Sequence, residues 1–139
     1  MLLGTQAPLT GQSDSPAALD NCKRMAATQH EYVMLLIKKK EYDQAEKEAC
    51  KIFQLKWPDG QESLLLKELL VLSDQFLRNG QPSIGLHLID RNAQSFKQTA
   101  SQISILKEKG LLYKSLNQDD TALEYFRKAQ ELEDKAGNR

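Results

Sequence analysis

A chain of 139 residues has room for one domain and little more, and a domain of that size buries roughly two-thirds of its unfolded surface without disulfides or a metal. Hydrophobic residues make up 40% and charged residues 27%, and 19 Lys plus Arg balance 19 Asp plus Glu. That balance argues against a generic binder of nucleic acid or of an anionic membrane surface, and no apolar run approaches the roughly 20 residues of a membrane-spanning helix.

Residues 1–14, "MLLGTQAPLTGQSD", are rich in Gly, Pro, Ser, Thr and Gln without a period, and read as a disordered tail. Its first nine residues have neither the basic start nor the apolar length of a signal peptide. A cytoplasmic chain is therefore expected, with the periplasm the alternative if a leader has been cleaved. Ser15-Pro16 then starts a helix, Ser as N-cap and Pro at the first helical position. Nothing breaks it before Lys40, and Met25, Tyr32, Val33, Leu36 and Ile37 form its apolar stripe. After "KKKEYDQ" a second helix carries Ala45, Ala49, Ile52 and Leu55, and "WPDG" at 57–60 is a turn.

Asp59 followed by Glu62 fits a capping box for a third helix over about 60–78, which is rich in leucine. Gly80 suits its left-handed C-terminal cap, and Pro82 suits the start of a fourth helix over about 82–95, with Ile84, Leu86, Leu88 and Ile89. A fifth, over about 100–116, carries Ile103, Ile105, Leu106, Leu111, Leu112 and Tyr113. After "NQDD", Ala122, Phe126, Ala129 and Leu132 mark the inner face of a sixth. No segment alternates with period two for long enough to be a strand. The expectation is an all-α chain whose short turns make consecutive helices antiparallel hairpins.

The hairpins repeat. Ala45, Gly85 and Ala122 are small residues just after a turn, 40 and 37 residues apart, and four positions later stand Ala49, Ile89 and Phe126. The third copy, 103–136, sets Leu106, Gly110, Tyr113, Ala122, Phe126 and Ala129 at the spacings of a known motif, and the chain thereby resembles the tetratricopeptide repeat. It departs from that pattern with Lys109 at a Leu position and Asp134 at the Pro position. The second copy, about 66–99, gives Leu69, Leu72, Ser73, Phe76, Gly85 and Ile89. The first, about 26–59, gives Tyr42 and Ala45 but has Val33 where Gly is expected. The resemblance implies one domain over 15–136, an α-solenoid of about three such hairpins in a right-handed superhelix. In it Ala122 would let the last helix approach its partner near Gly110, with Phe126 filling the space beside that crossing.

Chemistry is sparse. Cys22 and Cys50 form no metal-ligand spacing and read as two small half-buried thiols, a single bridge between them staying open for an extracytoplasmic chain. His30 and His87 fall in different hairpins, away from partners for a metal or a catalytic centre. Asp119-Asp120 suit a helix N-terminus and "IKKK" at 37–40 a helix C-terminus. Without a Gly-rich phosphate loop, GxSxG or HExxH, the reading is a non-enzymatic chain with no cofactor and no metal.

By resemblance, a concave surface would bind a peptide or helix of another protein. Its lining would be His30, Met34 and Ile37 in the first copy, Lys67, Leu70, Asp74 and Leu77 in the second, and Lys107, Leu111 and Lys114 in the third. The family's clamp for acidic chaperone tails needs Lys and Asn where this chain has His30, Met34, Val71, Ser104 and Glu108, so an apolar peptide or amphipathic helix is the better fit. The resulting expectation is a scaffold like a secretion chaperone or an assembly factor. The alternative is a sensory or regulatory segment of a larger signalling protein or transcription regulator. With no polar capping helix after residue 136, a homodimer through the last two helices is also expected.

Overall fold

A computed structural model describes residues 15–137 of the chain, so the tail expected over 1–14 lies outside the described residues. Those residues form six α-helices and one 3-10 turn, with no strand among them. In chain order the helices are α1 (Pro16–Lys38), α2 (Tyr42–Phe53), α3 (Glu62–Arg78), α4 (Pro82–Arg91), α5 (Thr99–Ser115) and α6 (Asp119–Gly137), with the 3-10 turn at Ala93–Ser95. The chain divides after Gln61 into two compact units, so α1 and α2 belong to one and α3 to α6 to the other.

Ser15 opens α1 as expected. Its Oγ accepts a hydrogen bond from the Ala18 N–H at 3.0 Å, satisfying one of the unpaired donors of the first turn, with Pro16 supplying a preset φ behind it. α1 stops at Lys38, two residues short of the expected end, because Lys40 turns left-handed at φ +63°. The turn closes with the Lys40 N–H on the Ile37 carbonyl and the Glu41 N–H on the Leu36 carbonyl, both at 2.9 Å.

The same closure recurs twice. Gly80 (φ +75°) and Asn117 (φ +60°) hold the left-handed position, with Gly80 and Gln81 donating to Leu77 and Phe76, and Asn117 and Gln118 donating to Lys114 and Tyr113. Each next helix then begins alike: the N–H groups of Ala45, Gly85 and Ala122 donate to the carbonyls of Glu41, Gln81 and Gln118 at 2.9, 3.2 and 3.0 Å. The periodicity of small residues in the sequence is thus a periodicity of one hairpin turn, built three times.

A left-handed lysine carries a cost of about 1–2 kcal/mol from the Cβ clash with the carbonyl. Lys40→Gly is therefore expected to stabilise the chain by about 0.5–1 kcal/mol, the entropy of a freer unfolded chain taking back the rest. Asn117→Gly should gain less, because asparagine tolerates this conformation. A urea midpoint that falls for Lys40→Gly would contradict the turn geometry.

In the first unit Cys22, Val33, Leu36 and Ile37 of α1 are buried, as are Ala45, Ala49, Cys50, Ile52 and Phe53 of α2. A polar network crosses between the two helices: Gln29 Nε2 donates to the backbone oxygen of Glu48 at 2.7 Å and to its Oε1 at 2.8 Å. Gln44 and Lys51 donate to the other carboxylate oxygen. The thiols are not bridged, and the Cys22 Sγ–H donates to the Lys56 carbonyl. Past α2 the chain is pinned by Trp57 Nε1, which donates to the Ile52 carbonyl at 2.8 Å.

In the second unit the core holds Leu65, Leu69, Leu72 and Phe76 from α3, Leu86, Leu88 and Ile89 from α4, Leu112 from α5, and Ala122 and Ala129 from α6. Two boundaries differ from expectation here. Glu62 is the first residue of α3, not the third, so no Asp59–Glu62 capping box forms. The Glu62 carboxylate instead accepts the Gln98 N–H at 2.8 Å and bonds Ser101, tying down the start of α5. α4 ends at Arg91 because the Asn92 side chain returns to the Leu88 carbonyl at 2.8 Å, competing with the helical ladder. The 3-10 turn that follows delivers Phe96, 4% exposed, to the core.

Gly85 and Gly110, inside helices, mark close approaches. A methyl on Gly110 would lie 2.7 Å from the Phe126 ring, so the ring occupies the space a side chain would take, as the sequence suggests. A methyl on Gly85 would meet Leu112 Cδ2 at 3.1 Å and Ser73 Oγ at 3.2 Å, bringing the α4 backbone against both α3 and α5. Lys109, at the departed Leu position, is neutralised by Asp90 of α4 at 2.6 Å and keeps only 18% of its side chain exposed. Tyr113 stacks on Tyr125 with ring centroids 5.3 Å apart, placing this repeat residue in the α5–α6 contact.

Candidate functional site

The residues expected to meet a ligand come from the first helix of each hairpin. In the first unit, His30 and Met34 are half-buried, but Ile37 is 2% exposed. Ile37 is therefore a correction: its side chain belongs to the interior, one position beyond Leu36 on the buried face, and is withdrawn from any ligand surface. Tyr42 is half-buried at the start of α2 and Ala45 is fully buried behind it.

In the second unit α3 and α5 pack against each other. Leu70, Asp74 and Leu77 recur at four and three residues along α3, and Ser104, Glu108 and Leu111 at four and three along α5, so each set shares one helix face. The two faces meet where Ser73 Oγ donates to Glu108 Oε2 at 2.9 Å. Leu70 and Leu77 are half-buried, and Leu111 is 44% exposed between buried Gly110 and Leu112. Lys67 and Lys114 are exposed. Asp74 accepts from Arg78 Nε at 2.6 Å, and Lys107 is tied to Glu133 of α6 at 2.6 Å.

Glu108 is the residue that sequence reading undervalued. It figured only as a mismatch to a clamp for acidic tails. Burial pushes its carboxyl above the usual carboxylate range, the Ser73 hydrogen bond pulls it partly back, and the negative charge of Asp74 pushes it up again. The signal was present: Glu108 is one turn from both Ser104 and Leu111, on the face already assigned to a ligand.

Two carboxylates thus bind protons with opposite consequences. Glu48 is held below the usual range by hydrogen bonds from Gln29 and Lys51, so its contribution to stability is present above that range and is lost as pH falls through its lowered value. Glu108 is raised, so the native state holds its proton more tightly than the unfolded chain does. Stability therefore declines as pH climbs from the ordinary carboxylate value, about 4.3, through the raised one. Glu108→Gln is expected to raise Tm at pH 7, with the gain shrinking as pH is lowered toward 4. A variant that melts lower at pH 7 would contradict the unfavourable burial of this charge.

Other surfaces carry less. Among the described residues no group of three or more His, Cys, Asp or Glu is placed to hold a metal ion. A depression at the start of α1 is bordered by Ser15, Pro16, Leu19, Pro58, Asp59 and Gln61, residues with capping and turn duties. No described helix is long and apolar enough to cross a membrane. Compared with protein-family models, with curated proteins and with solved structures, the chain finds no match in any of the three.

Proposed function

We propose that this chain is a non-enzymatic interaction module, a tetratricopeptide-like array whose three hairpins continue as one right-handed solenoid. It binds an extended peptide or an amphipathic helix of another protein, as a secretion chaperone or assembly factor would. The observation that carries this reading is the α3–α5 face, where half-exposed Leu70, Leu77 and Leu111 stand among Asp74 and Glu108. An apolar strip edged by charge suits the apolar side of an incoming helix, which reads such a surface at i, i+3, i+4 and i+7. The threefold recurrence of one turn, at Lys40, Gly80 and Asn117, supports the repeat reading of the fold.

The test is selection of 12-residue peptides from a random library on the full chain, followed by fluorescence polarisation with the enriched peptides. Micromolar binding that is lost in Leu70→Glu/Leu111→Glu supports the reading. Binding indifferent to that pair, or no enrichment at all, overturns it.

A further inference from the structure

Glu108 lies between two lysines in sequence, and the fold takes both away from it. Lys107 Nζ is 2.6 Å from Glu133 of α6, and Lys109 Nζ is 2.6 Å from Asp90 of α4. The Glu108 carboxylate is left with the hydroxyl of Ser73, a residue that is fully buried. Among the described residues no Lys, Arg or His forms an ion pair with it, and the like charge of Asp74 acts on it. Asp74 accepts from Arg78 Nε at 2.6 Å, and the Arg78 side chain is 72% exposed. A half-buried carboxylate beside a second one, with adjacent cations committed elsewhere, is an arrangement that costs the fold stability and that an arriving cation relieves.

We propose, building on the interaction reading above, that the α3–α5 face takes a cationic amphipathic segment of a partner protein: a Lys or Arg that pairs with Glu108 beside Asp74, flanked by apolar side chains that cover Leu70, Leu77 and Leu111. At Glu108 and Asp74 charge complementarity selects a cation on the occupant, while the exposed Lys67 and Lys114 stand one turn away from Leu70 and Leu111. Arginine is the better fit of the two cations. Its planar fork presents paired donors to a carboxylate, whereas an ammonium is a point charge. The apolar flanks exclude water from the pair, which is where a charge-assisted hydrogen bond gains most.

Peptides enriched on the wild-type chain carry the test. The expected sequences hold an Arg or Lys with apolar residues three or four positions to either side. Replacing that cation with Gln should weaken binding to the wild type by about tenfold or more, and binding to Glu108→Gln by less than about threefold, since Gln keeps an acceptor for Ser73 but no charge. Circular dichroism of Glu108→Gln should match the wild type. Enriched peptides that are acidic or lack a cation, or a cation whose removal costs the same on both proteins, would overturn the inference while leaving the groove reading standing if Leu70→Glu/Leu111→Glu still abolishes binding. Peptides unaffected by that leucine pair would end both.

Discussion

Phe126→Ala is expected to destabilise the chain by about 2–4 kcal/mol, toward the lower part of the range for phenylalanine truncation because the ring is half-buried. The ring lies over Gly110, and its removal leaves a gap between α5 and α6 that Ala122 and Ala129, already buried on either side, are too small to fill. The reciprocal change isolates the contact. Gly110→Ala should gain up to about 1 kcal/mol from helix propensity alone. A methyl 2.7 Å from the Phe126 ring should instead make it a net loss of about 1–2 kcal/mol, as overpacking does. With Phe126→Ala in place the methyl has room, and Gly110→Ala should turn stabilising. That reversal of sign in a urea double-mutant cycle is specific to ring-on-glycine packing. If Gly110→Ala stabilises the wild type as well, the close approach of α5 and α6 is wrong.

The small-large-small pattern of Ala122, Phe126 and Ala129 makes this crossing legible in the sequence, because a helix needs little else to announce a close neighbour. The turns were legible for a related reason. Gly80 names its own left-handed φ, and the aligned small residues at 45, 85 and 122 carry that turn to Asn117, which tolerates it, and to Lys40, where the residue type gives no hint. What escaped the sequence depended on partners far along the chain. Glu62 satisfies a local capping pattern and is claimed instead by Gln98 and Ser101. Asn92 ends α4 through its own side chain, and Phe96, one residue past the expected end of the fourth helix, reaches the core after the 3-10 turn. Repeat register alone puts Ile37 on the ligand face, whereas its packing buries it to 2% exposure. Glu108 gained its meaning from three long-range bonds: its own to Ser73, and those that draw Lys107 and Lys109 away.

Leu70→Glu/Leu111→Glu carries the largest expected effect on binding, a fall in peptide affinity of tenfold or more. Each leucine offers apolar area worth roughly 25 cal/mol per Å2 when a ligand covers it. Each new carboxylate also brings a charge that a covering apolar side chain cannot pair. The cost to folding should be modest at Leu111, already 44% exposed, and larger at half-buried Leu70. Helicity by circular dichroism should stay near that of the wild type. Collapse of the helical signal would make both residues core and remove the face from consideration.

The central claim is that a partner lies along α3 and α5 of the second unit. The most direct measurement is a titration of the isotope-labelled full chain with an enriched peptide, followed by 1H–15N chemical-shift mapping. The strongest perturbations are expected on Leu70, Asp74, Leu77, Glu108 and Leu111, with the outward side of α6 around Leu123 unmoved. Perturbations centred instead on α6, or on the exposed Met25, Tyr32 and Leu35 of α1, would contradict it.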